Sequence, residues 1–146
     1  MAYMSRNNNR GRGKKDEYDI VDELKKLQGN VQKKNLSEFL KPEDYAKENG
    51  IAYKYAEKLR NKIKINQIRT IFDSIRDLEK SSENNVDNSK KYLLLTQVAY
   101  AVGRDAVPKD FYEFVSFCVE RINTKEDVKT FVRLFEAIIA YFKFLN

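Results

Sequence analysis

Apolar residues recur every three or four positions along most of the chain, which is the spacing of one face of an α-helix. The clearest case is the segment from Lys64 to Lys80. On a helix of about 100° per residue its apolar side chains cover one broad face, and they are Ile65, Ile68, Ile71, Phe72, Ile75 and Leu78. The alternation of apolar and polar residues that is typical of strands does not repeat, so helices are expected throughout.

Two helices are predicted before this segment. Residues 19–28 have Asp19 at the position of a helix cap, apolar residues at helical spacing, and Gly29 just past the end. Residues 42–60 form a second helical segment, in which an Asn-Gly pair predicts a break or kink near Gly50.

Three more helices are predicted in the second half of the chain. The first is expected to be capped by Asn88 or Ser89 and to end at Gly103 in the left-handed conformation that glycine favours. Pro108 suits the first turn of the next helix, and Thr124 with an acid three residues later approximates a capping box for the last one. The last helix is apolar on nearly every side after Thr130, so it is expected in the middle of a bundle or at an interface between chains.

These segments predict an all-α protein, a compact bundle of five to six helices with a disordered basic N-terminal tail. The tail is residues 1–15, which contain five basic residues, no acid and few apolar side chains. The bundle is expected to be a single domain over residues 16–146, because this is an ordinary domain length. No apolar run reaches the roughly 20 residues of a membrane span and no signal peptide is recognisable, so the chain is expected to be cytoplasmic, without a membrane partner.

The composition excludes several kinds of catalytic chemistry. The chain has no histidine, so no imidazole is available as a general base or metal ligand, and Ser-His-Asp and Cys-His mechanisms are excluded. Its single cysteine, Cys118, lies in an apolar segment and is predicted to be a buried, inert thiol. We therefore expect no enzymatic activity, no metal and no cofactor.

Positive charge is concentrated in one part of the chain. The tail carries five of the net +6, which leaves +1 for residues 16–146, yet residues 54–69 contain six basic residues and one acid. Basic side chains in such a stripe can follow a phosphate backbone, since each one near a phosphate releases condensed counterions. The electrostatic argument predicts RNA binding by Lys58, Arg60, Lys62, Lys64 and Arg76. The alternative is that the arginines of the helix lie over the core and pair with acids of a neighbouring helix.

Two short motifs resemble a known family. QIR at residues 67–69 opens a helix, and VAYAVGR follows about thirty residues later at 98–104. In their order, their spacing and the apolar helices after each, they resemble the small helical subunit of type III-A CRISPR effector complexes, the Csm complexes. The resemblance runs from about residue 41 to the carboxyl terminus.

This resemblance implies a non-catalytic subunit that acts in antiviral defence. Several copies would stack along the filament of the effector, with guide RNA, target RNA, the backbone subunit, the large subunit and copies of itself as partners. Carried over by position, Arg69 and Arg104 match the basic residues of the family motifs and join the predicted RNA-binding residues. Gln67 and Tyr100 also match, and we assign them to helix capping and packing.

Two other function classes stay open on the sequence alone. The first is a basic helical adaptor whose apolar last helix binds a protein partner, and an absence of salt-dependent RNA binding would favour it. The second is a helical DNA-binding module of helix-turn-helix type, which needs a short turn before an exposed recognition helix. The nine-residue polar loop after Lys80 disfavours it, and competition between duplex DNA and single-stranded RNA would separate these classes.

Overall fold

The computed structural model describes residues 18–30 and 35–146, which form eight α-helices and no strand. The helices in chain order are α1 Ile20–Gln28, α2 Leu36–Phe39, α3 Pro42–Tyr45, α4 Ile51–Leu59, α5 Ile65–Ser81, α6 Asn88–Gly103, α7 Lys109–Val119 and α8 Lys125–Leu145. The predicted all-α fold is confirmed. Six helices are longer than a single turn, and the two short ones are α2 and α3. The tail predicted for residues 1–15 lies outside the described residues.

Helix α8 lies at the centre of the bundle. It packs along α4 and α5 and also contacts α2, while α6 packs against α7 and α5, and α1 contacts α7 and α4. The central position predicted for the last helix is confirmed. Within the described part of the chain, no helix combines the length and the apolar character that a membrane crossing requires.

A cluster of phenylalanine rings fills the middle of the core. The ring of Phe135 on α8 lies 5.9 Å from those of Phe72 and Phe111, measured between centroids, and within 6.4 Å of those of Phe114 and Phe131. Aromatic pairs at these separations add to the stabilisation from buried area. One cluster therefore holds together α5, α7 and α8.

The predicted break near Gly50 separates α3 from α4. Asn49 has a left-handed φ of 66°, and Gly50 is buried where its backbone approaches the preceding turn closely. A Cβ atom at Gly50 would lie 2.9 Å from the carbonyl oxygen of Lys47 and 3.1 Å from that of Asp44. Glycine is required here by this close approach.

Several predicted helix ends are confirmed. The carboxylate of Asp19 accepts a hydrogen bond from the backbone of Asp22 at 3.1 Å, and Gly29 follows α1 with a φ of 74°. At α8, the hydroxyl of Thr124 accepts from the backbone N–H of Asp127 at 3.2 Å, and the Asp127 carboxylate accepts from that of Thr124 at 2.9 Å. The predicted capping box is therefore complete.

Both predicted ends of α6 need correction. Its cap is Asp87, whose carboxylate accepts from the backbone N–H of Lys90 at 3.1 Å, so the prediction of Asn88 or Ser89 is wrong. The prediction that Gly103 is a left-handed stop is also wrong, because the helix includes Gly103 and the left-handed residue is Asp105, with a φ of 63°. Aspartate is among the few residues besides glycine that adopt this conformation readily.

Candidate nucleic-acid interface

The connection between α4 and α5 contains three basic residues and one apolar residue. Arg60, Lys62 and Lys64 are exposed, whereas the side chain of Ile63 is buried in the core. The backbone N–H of Lys62 bonds to the carbonyl of Leu59 at 2.9 Å, which folds the connection into a tight turn. The buried isoleucine fixes this turn to the bundle, and the basic residues on either side of it are exposed.

Four of the seven predicted RNA-binding residues line one surface depression, and they come from distant parts of the chain. Arg60, Lys62 and Lys64 line one side, and Arg104, which follows α6, lines the other. The remaining lining residues are Asn61, Ile63, Gln67, Asp105 and Ala106. Four positive side chains therefore face a depression whose lining contains one acid.

A second depression continues from the first across Arg60 and Lys64, which line both. It adds Arg69 from α5 and Lys143 from the end of α8, and its lining contains no acidic residue. We name the combined area the basic surface, made up of Arg60, Lys62, Lys64, Arg69, Arg104 and Lys143. Sequence reasoning missed Lys143, although it is the single basic residue in the apolar segment YFKFLN at the end of the chain.

A hydrogen bond joins the two sequence motifs on the basic surface. A terminal nitrogen of the Arg104 guanidinium donates to the side-chain oxygen of Gln67 at 3.1 Å. The same guanidinium lies 5.6 Å from the ring centroid of Tyr100, whose side chain is 73% exposed. The assignment of Gln67 to capping and of Tyr100 to packing is therefore wrong. Gln67 is a neutral acceptor, so it orients the guanidinium without cancelling its charge.

The start of α5 adds to the positive character of the basic surface. Lys64 is its N-cap residue, no side chain caps the helix, and its first turn contains no acid. The first turns of α1 and α8, by contrast, each contain two acidic residues. A helix N-terminus carries partial positive charge on its unpaired N–H groups and favours anions, so this end reinforces the lysines and arginines around it.

Lys58 and Arg76 line neither of the two depressions that make up the basic surface, although Lys58 borders a separate depression together with Lys62. The Nζ of Lys58 lies 2.8 Å from a carboxylate oxygen of Asp110, and the lysine side chain is 13% exposed, so this charge is paired between α4 and α7. Arg76 is exposed on α5, two turns beyond Arg69, with its guanidinium 5.8 Å from the ring of Phe72. RNA binding by these two residues stays a prediction.

A known protein family matches the greater part of the chain. The family described as Csm2 Type III-A matches residues 42–146, a range that includes every residue of the basic surface. Comparison with curated proteins and comparison with solved structures each found no match. The family match covers well over half of the chain, from the start of α3 to the end of α8. The chain therefore belongs to the Csm2 Type III-A family, the small subunits of type III-A CRISPR effector complexes.

Proposed function

We propose that this small subunit is a non-catalytic RNA-binding component of its complex, and that the basic surface contacts the phosphate backbone of guide RNA or target RNA. Membership of the family implies association with other Csm subunits. Binding of RNA, and stacking of several copies along the filament, are the finer parts of the proposal.

One observation carries the RNA-binding part of the proposal: positive side chains from three separate parts of the chain converge on one surface. Residues 16–146 carry a net charge of +1, yet six basic side chains line two adjoining depressions with a single acid among the lining residues. Among the described residues, no carboxylate is within ion-pair distance of Arg60, Lys64 or Arg69. Their charges are therefore available to phosphates.

A shortage of side chains suited to catalysis supports the proposal that this subunit is non-catalytic. The chain has no histidine, and over residues 18–30 and 35–146 no three side chains of Cys, Asp or Glu form a group that could hold a metal ion. Cys118 is fully buried, and burial raises the pKa of its thiol, which disfavours the reactive thiolate. We propose that nucleic-acid cleavage in the complex belongs to other subunits.

The test replaces Lys62, Lys64 and Arg69 together by alanine and measures single-stranded RNA binding over a range of salt concentrations. Each phosphate contact removed should reduce the slope of log affinity against log salt by about 0.7, so the triple variant should lose about 2. The loss should be similar for all RNA sequences, because backbone contacts carry no sequence information. The helical circular-dichroism spectrum should not change.

A matched control removes the same total charge from elsewhere. Lys25, Lys90 and Lys125 are exposed and lie outside the basic surface, so their triple alanine variant should bind RNA nearly as the wild type does. Residues 1–15 are kept in every variant, so that their five charges contribute the same background. If both triple variants lose equal affinity, overall charge and not the basic surface controls binding. A wild-type protein without salt-dependent RNA binding would favour the adaptor, and preference for duplex DNA would favour the DNA-binding module.

A further inference from the structure

We infer that Tyr100 is a base-stacking residue, on which a nucleobase of single-stranded RNA packs while its backbone follows the basic surface. This inference rests on the proposed function and adds a contact of different chemistry to it. Tyr100 lies in the last turn of α6 and has the most exposed of the large apolar side chains in the described part of the chain. Its ring is available to a ligand.

The surroundings of Tyr100 favour a nucleic acid as that ligand. Its ring adjoins the guanidinium of Arg104, which is itself part of the basic surface. Proteins that bind single-stranded RNA place aromatic rings beside a positively charged groove, because every base has a π-face and every nucleotide has a phosphate. A strand that reaches Arg104 with a phosphate brings a base to the neighbouring ring.

The hydrogen bond from Arg104 to Gln67 makes this arrangement preorganised. Because Gln67 of α5 accepts a hydrogen bond from the guanidinium at 3.1 Å, the cation is held beside the ring before any RNA binds. A contact held in place in the free protein loses less conformational entropy on binding.

Tyr92, on the same helix, is a suitable control because it is exposed but the cation beside it is buried. Its side chain is 54% exposed, and its ring lies 4.9 Å from the Nζ of Lys91. That lysine donates from its ammonium to the carbonyl of Ile122 at 2.8 Å, so it cannot contact a phosphate.

The experiment compares four single variants of the full chain for binding of single-stranded RNA. Tyr100→Ala should weaken binding about fivefold or more, because one base–aromatic stack is lost. Tyr100→Phe should keep the affinity, since it keeps the ring, whereas Tyr100→Leu should lose as much as alanine although it keeps apolar area. Tyr92→Ala should bind as the wild type does. None of the four should change the salt slope, because no phosphate contact is removed.

An RNA of the same length without bases gives a second readout. On this ligand the penalty of Tyr100→Ala should disappear, while the penalty of the triple variant at Lys62, Lys64 and Arg69 should remain. If Tyr100→Ala binds normally, or if Tyr100→Leu keeps the affinity that alanine loses, stacking is overturned and the latter result assigns the ring to apolar protein contact. Salt-dependent binding by the wild type would still support the proposed function in either case. If the wild type shows no salt-dependent RNA binding, both the proposed function and the stacking role of Tyr100 are overturned.

Discussion

Asp127 at the start of α8 accepts two hydrogen bonds from Ser37, from its backbone nitrogen at 2.9 Å and from its hydroxyl at 2.6 Å, although the two residues lie 90 positions apart. The same carboxylate accepts from the backbone N–H groups of Asn123 and Thr124, each at 2.9 Å. It is fully buried, so these four donors replace the water that the carboxylate would have in the unfolded chain. One side chain thereby fixes α2 to the start of the central helix.

We expect Asp127→Ala to destabilise the fold by about 2–4 kcal/mol, because four donors lose a buried, charged acceptor at once. Asp127→Asn should cost less, since it keeps one oxygen acceptor. Urea unfolding at neutral pH measures both values. The exposed Asp77→Asn serves as the control and should unfold as the wild type does. Wild-type stability of Asp127→Ala would contradict a structural role for this network.

The same carboxylate should make the stability depend on pH. Burial alone would raise the pKa of Asp127, but hydrogen bonds from Ser37, Asn123 and Thr124 outweigh it and hold the pKa below its ordinary value. The unfolded chain therefore takes up the proton more readily, so this stabilisation is present above the unfolded pKa of about 4 and is lost as pH falls through the lower folded pKa. In Asp127→Asn, the free energy of unfolding should therefore fall less steeply than in the wild type as the pH is lowered below about 4. The same pH dependence as in the wild type would contradict this role of the Asp127 carboxylate.

Substitution by alanine should have opposite effects on stability at two glycines, Gly103 and Gly50. Gly103 is the last residue of α6, and a Cβ atom added there would meet no side chain and no neighbouring element within 4 Å, so Gly103→Ala should stabilise the protein by about 0.5 kcal/mol. Gly50→Ala should destabilise it, because the new Cβ would meet the Lys47 carbonyl at 2.9 Å. Thermal melting of both variants tests this pair. Destabilisation by Gly103→Ala would instead indicate the left-handed conformation that the sequence pattern predicts.

Gln67 offers a test of the orientation of Arg104. Gln67→Ala removes one exposed hydrogen bond, which should weaken RNA binding about two- to tenfold through a less ordered guanidinium and change stability little. Gln67→Glu keeps an acceptor but pairs with the guanidinium, so it should also flatten the salt dependence by about 0.7, the value of one phosphate contact. Salt titrations of both variants distinguish the two effects. Binding and slope unchanged in Gln67→Glu would show that Arg104 does not contact a phosphate.

The long helices were predictable because their signals are local. The apolar face of α5 and the capping box of α8 each depend on residues a few positions apart, and both are observed. Helix α2 has four residues, too few for a periodic pattern, and it was not predicted. It is held by distant contacts: the backbone N–H of Leu36 donates to the carbonyl of Arg121 at 2.9 Å, and Ser37 bonds to Asp127. Such contacts have no local signal.

The candidate site was predictable to the extent that charges close in sequence are also close in space. This holds for Arg60, Lys62 and Lys64, which lie in one turn. It does not hold for Lys58, whose partner Asp110 is 52 positions away, or for Lys143, which reaches the surface from the far end of the central helix. The distribution of charged residues along a sequence does not reveal which acidic side chains the fold places beside which basic side chains.

Lys64 is a position at which thermal stability and RNA affinity oppose each other. Serine or aspartate at an N-cap would bond to the free N–H groups of α5 and stabilise the helix by about 1 kcal/mol, whereas lysine cannot accept such a bond. Lys64→Asp should therefore raise the melting temperature and weaken RNA binding in the same molecule. Optimisation of this subunit for heat resistance alone would select against the lysine, so engineered stabilised versions need position 64 held fixed if they are to keep their ligand.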